Sequence, residues 1–150
     1  MIGFSGNHGG NIDTIQGDCG SLAVVWAPSG SSIQVAAQNS LPSHGINATN
    51  PYTADCPPNQ VVTRVDGWYD PVTEQGGSNP PTQGVHQLAV YCSSLTVSGS
   101  PGNPRVAASP PTLLQTVSTD YDLSNSTPFS YACSSGAMNG YGGASGYWLD

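Results

Sequence analysis

The chain has 150 residues, 19 of them Gly and 13 Pro, and carries two cationic side chains against nine acidic ones, for a formal net charge of −7 at pH 7. Arg64 and Arg105 alone cannot neutralise a phosphate backbone or hold the chain on anionic lipid, so nucleic-acid and basic-groove functions are excluded. The Val, Ile, Leu, Tyr and Trp content favours a folded chain, long enough for one ordinary core or two small ones.

In chain order, the start "MIGFSGNHGGNID" has neither a basic region nor a sustained apolar stretch and does not read as a signal peptide, which says nothing against export. Short strands are predicted at Ser21 to Ala27, Ser32 to Ala37, Gln60 to Val65, Val85 to Cys92, Ser94 to Ser98, Leu113 to Thr119 and Gly146 to Leu149, separated by Gly, Pro, Ser and Asn turns. The apolar window Leu22 to Ala27 falls far short of a membrane span. "VHQLAVYC" alternates, with Val85, Gln87, Ala89 and Tyr91 on one face and His86, Leu88, Val90 and Cys92 on the other, the second set being expected inward. Ser98 to Thr112, with four prolines, reads as a loop, an edge connection or a domain linker. No window keeps apolar residues at helical spacing for three turns without Pro or Gly. The expected fold class is therefore all-β, with short antiparallel strands in a sandwich, barrel or prism-like arrangement.

The four cysteines, Cys19, Cys56, Cys92 and Cys133, have no CxxC spacing, and four thiols allow three disulfide connectivities. Cys56 to Cys92 spans 36 residues; so does the interval from Cys133 off the C-terminus and on again from Met1 to Cys19. "NATNPYTADC" answers "NSTPFSYAC", and Leu22 stands opposite Leu95. These matches point to two related modules of about 75 residues in a cut phase. Residues 56–132 form a complete module; residues 133–150 and 1–55 are the first and second parts of a split one. The repeat pairs Cys56 with Cys92 and Cys19 with Cys133, the latter within one chain or between copies. Such bonds persist in oxidising compartments, which places the protein outside the cell or on its surface.

Asn47-Ala-Thr49 and Asn125-Ser-Thr127 fit the N-glycosylation pattern and are expected on exposed loops. His8, His44 and His86 are too scattered for a zinc set. Asp120 with Asp122, and Asp66 with Asp70, lack the density of a calcium loop and read as solvated carboxylates. There is no GxSxG elbow, and no enzyme activity, metal or cofactor is expected. Trp26, in an apolar strand, is expected in the core, and Trp68 with Tyr69 at a turn.

Gly142 to Asp150 ("GGASGYWLD") and Gly3 to Ile15 ("GFSGNHGGNIDTI") resemble the Gly-rich loop and strand of jacalin-related lectins and of the vitelline outer-layer type β-prism. The resemblance implies sugar binding by Gly146, Tyr147, Trp148 and Asp150, with Gly9 and Asp13 as a further pair. A carboxylate beside aromatic rings suits a saccharide, whose hydroxyls donate to the acid while the ring covers C–H surface. The alternative for Trp148 is a core or interface aromatic. Taken together, the sequence leads to a structural subunit or tandem repeat of an extracellular fibre or surface array, joined head to tail through copies of itself. The second expectation is a glycan-binding adhesion module. Membrane insertion is expected in neither.

Overall fold

No strand buries a face alone, so the strands find their partners in two sheets, and against the expectation of short strands β-pairing carries two of them through internal glycines to 16 and 17 residues. The computed structural model describes residues 1–45, 48–70, 84–119, 122–133 and 136–140. The first sheet contains β1 (Gly3–His8), β2 (Ile12–Ala27), β3 (Gly30–Ser40), β4 (His44–Gly45) and β5 (Asn50–Asp55). The second contains β6 (Gln60–Asp70), β7 (Gly84–Ser100), β8 (Asn103–Ala108), β9 (Thr112–Ser118) and β10 (Thr127–Ala132), with one 3-10 turn at Leu123–Asn125. The strand orders are β3-β2-β1-β5, with β4 on β2, and β10-β6-β7-β8, with β9 on β7. All ladders are antiparallel.

The two sheets share one connectivity. In each, a long second strand pairs along its first half with the strand before it and with a later short strand, and along its second half with its hairpin partner. The equivalence holds residue by residue. Gly3 faces Asp18 as Arg64 faces Tyr91, and the hairpin turns close at Ala27/Gly30 and Ser100/Asn103. Cys19 and Cys92 therefore correspond, as do Leu22 and Leu95. On the outer side of the first strand, Cys56 N–H donates to Ile2 O at 2.7 Å and Cys133 N–H to Thr63 O at 2.9 Å, so Cys56 and Cys133 correspond too. Met1 and Val62 then occupy equivalent places, and they meet, Val62 N–H donating to Met1 O at 3.0 Å.

The sheets face one another as a sandwich. Met1, Phe4, Ile12, Tyr52 and Ala54 from the first pack with Val62, Val65, Leu88, Val90 and Val117 from the second. A smaller core of Ile33, Val61 and Leu95 lies where the β2–β3 arm meets β7, and there Ser31 Oγ donates to Val97 O at 3.1 Å. His86, Leu88, Val90 and Cys92 are buried as the alternation requires.

Several expectations are corrected. Ser98 to Thr112 is mostly ladder, holding the end of β7, all of β8 and the start of β9; Pro104 is accommodated because β8 is an edge strand. Trp26 is half-buried on the β2–β3 arm, outside both cores, and Trp68 and Tyr69 lie within β6 rather than at a turn. The described strands of the first sheet lie within residues 3–55, and the expected strand at Gly146 to Leu149 lies outside the described residues. The described part of the tail continues beside β6, with Met138 N–H donating to Val62 O at 2.9 Å, and adds no strand to the first sheet. Cys56 and Cys92 are joined across the sheets. Cys19 and Cys133 are half-buried free thiols, so the expected second bridge is not closed in this structure.

Candidate functional site at the polar end of the sheet interface

One end of the sandwich is lined by buried polar groups, and its geometry begins with two bulges. In β2 the pairing steps from Asn7↔Thr14 to His8↔Ile12, leaving Asp13 as the extra residue. In β7 it steps from Trp68↔Gln87 to Tyr69↔Val85, leaving His86. Asp13 and His86 are thus the same position in the two halves. A bulge re-aims its side chain, and both are buried, Asp13 at 3% exposure and His86 at 0%. Gly45 closes against the first bulge at φ +101°, where a Cβ would lie 1.9 Å from Asp13 O, so no other residue fits there.

His86 Nδ1 lies 3.3 Å from Gly10 O, in the turn between β1 and β2. Its Nε2 lies 3.2 Å from Asp70 Oδ2. Ser126 Oγ donates to Asp70 Oδ1 at 2.7 Å, and Thr119 N–H donates to His86 O at 3.1 Å. The carboxylate stands between the hydroxyl and the imidazole, and the imidazole is closed to solvent. This order does not prepare a nucleophile, which would need the base next to the hydroxyl. It ties the ends of β6, β7, β9 and β10 to the β1–β2 turn of the opposite sheet.

Burial pushes the Asp13 carboxyl above its usual range, opposed by the Gly9 N–H bond and by His8. Among the described residues, Asp13 Oδ1, His8 Nδ1 and Thr119 Oγ1 are buried and find no hydrogen-bond partner, the kind of group that internal water ordinarily satisfies. The raised carboxyl fixes a sign. Its favourable contribution is complete below the unfolded value of 3.8 and is lost as pH rises through the folded value. Asp13→Asn is therefore expected to raise the melting temperature by a few degrees at pH 7 and to lose that advantage near pH 3.5. Thermal scans at the two pH values check this, and equal shifts at both would overturn it.

On the outer face of the second sheet, Arg64 grips Asp66 through two hydrogen bonds of 2.8 and 2.7 Å, and Ser130 Oγ adds a third at 2.6 Å. The Arg64 bonds hold the Asp66 carboxyl below its usual range. Arg64 also lies 4.8 Å from the Tyr91 ring centroid, and a hydrogen bond to Asp66 pushes the Tyr91 hydroxyl up. Asp66 and Asp70, read as solvated carboxylates, thus each have protein partners. Among the described residues no group of three or more His, Cys, Asp or Glu is placed to hold a metal ion.

Asp13 is enclosed, so its carboxylate is not presented to a saccharide at the surface; Gly9 stands beside it in the turn. Asn125 is exposed on the 3-10 turn, as expected of its sequon. Asn47, Asp120, Gly146, Tyr147, Trp148 and Asp150 lie outside the described residues. Sequence reasoning missed Asp70 and Thr119 as partners of His86, and Ser126 as a partner of Asp70. The available signal was His86 itself, a polar residue on the apolar face of an alternating strand. Among the described residues no helix is long and apolar enough to cross a membrane. Compared with family models, curated proteins and solved structures, the chain matches none of them.

Proposed function

We propose that the protein is a structural module of an extracellular fibre or surface array, assembling head to tail through sheet edges. The observation that carries this is β3. It ends the first sheet on one side, and from Gly30 to Ala37 its ladder with β2 is unbroken. It contains no charged residue and no Pro, and those are the devices, with bulges, by which edge strands ordinarily resist pairing. Asn59 Oδ1 accepts the outward Val35 N–H at 3.3 Å, a side-chain cap that an incoming strand would displace. Leu22, 52% exposed, and Val25 add apolar surface on the neighbouring β2.

A second uncharged edge, whose one proline, Pro128, lies at its start, supplies a different surface for the other end of the contact. β10 ends the second sheet, with Tyr131 at 67% exposure where its counterpart Ala54 is at 1%. The Tyr69, Phe129 and Tyr131 rings follow one another at 6.3 and 5.8 Å between centroids. Two unlike edges meeting between copies give a heterologous contact, which extends into a filament when its rotation does not close. Exposed Asn125 is open to glycan attachment, in keeping with an exported protein.

Light scattering after gel filtration over a hundredfold range of concentration, with negative-stain imaging, tests this reading. The expected result is mass rising with concentration and linear assemblies, both abolished by Ser32→Lys with Gln34→Lys on the exposed side of β3. A monodisperse monomer throughout would overturn it.

A further inference from the structure

We propose that Cys19 and Cys133 close a second disulfide across the sheets of one chain when the protein is oxidised. The shared connectivity carries this. Interchanging the two halves sends Cys56 to Cys133, since each donates its N–H past the end of its edge strand to the equivalent oxygen of the first strand, Ile2 O or Thr63 O. It sends Cys92 to Cys19, since both stand at the same distance from their hairpin turns. The bond between Cys56 and Cys92, with Cα atoms 5.7 Å apart, therefore has a counterpart pair, and that pair is Cys133 with Cys19.

Position supports the same pairing. The equivalent residues Met1 and Val62 are hydrogen-bonded to each other where the halves meet. Cys19 follows Asp18, whose carbonyl accepts Ile2 N–H at 2.7 Å; Cys133 follows Ala132, which faces Arg64. Both cysteines thus flank the start of a first strand. The sequence left open whether Cys19 and Cys133 pair within a chain or between copies. Their common neighbourhood favours closure within the chain. Both are half-buried, so a small oxidant can reach them.

The step needs a low-molecular-weight disulfide as oxidant. One cysteine thiolate attacks it, forming a mixed disulfide and releasing one small thiol. The second cysteine thiolate then attacks the protein sulfur of the mixed disulfide and releases the other small thiol. Two protein thiols are oxidised to one disulfide, one small disulfide is reduced to two thiols, and the protons of the protein thiols end on the released thiols.

The test uses the full chain with Cys56–Cys92 intact, equilibrated in oxidised glutathione and then denatured and alkylated without reductant. Loss of both alkylatable thiols and a peptide joining Cys19 to Cys133 are the expected result, with a rise in the thermal midpoint that the Cys19→Ser, Cys133→Ser double variant does not show. Three results would overturn the proposal: two thiols still alkylated, separate glutathione adducts on Cys19 and Cys133, or a Cys19–Cys133 link found only in covalent dimers. Cys133→Ser alone should carry one glutathione on Cys19, which shows that the oxidant reaches the site.

Discussion

Cys56→Ala combined with Cys92→Ala is expected to lower the unfolding free energy by about 4 kcal/mol, the chain-entropy value for a loop of this length. The bond spans 36 residues and joins the end of β5 in the first sheet to β7 in the second. Without it the unfolded chain regains that loop's freedom, while the native sheets keep the interface formed by Phe4, Ile12, Leu88 and Val90. For a chain of this size the loss corresponds to roughly 10 °C in melting temperature. Urea unfolding of the double variant beside the oxidised wild type measures it. A loss under about 1 kcal/mol would show that the unfolded chain is already held compact by other contacts.

His86→Ala is expected to cost about 3 kcal/mol, combining a cavity at a fully enclosed position with buried polar groups left behind. The imidazole sits between Gly10 O and Asp70 Oδ2, and its removal takes a partner from the Asp70 carboxylate, which keeps the hydrogen bond from Ser126 Oγ. Denaturant unfolding gives the number. Hydrogen exchange gives the place: faster exchange is expected at Thr119 N–H, which donates to His86 O, than at the β2–β3 ladder. Uniform acceleration along the whole chain would contradict a local tether.

Much of the fold was legible because period-two alternation survives wherever one face is buried. "VHQLAVYC" shows its inner set, and the structure buries it. β1 and β5 were not legible. "GFSGNH" and "NPYTAD" are rich in Gly, Pro and Asn, and their strand form comes from pairing, β1 between β2 and β5 and β5 along β1, which is tertiary context overriding local preference. β8 was missed because Pro104 marks a break in the middle of a sheet but not on its edge. The cysteine spacing showed the Cys56–Cys92 bond. Among the described residues the shared connectivity runs within residues 3–55 and 60–132. At the polar end, Asp13 and His86 share no residue type, so nothing in the sequence reveals that both are bulges; only the register shows it.

The shared connectivity makes the molecule a homodimer written on a single chain. In a true two-fold dimer an isologous interface repeats every residue on both sides, so a carboxylate at one bulge would face its own kind and an exposed tyrosine on one edge would be exposed on the other. Covalent fusion lifts that constraint. It lets one bulge hold Asp13 and the other His86, and one edge strand bury Ala54 while the other offers Tyr131. The molecule thereby gains two unlike ends and with them a direction, which a symmetric dimer lacks.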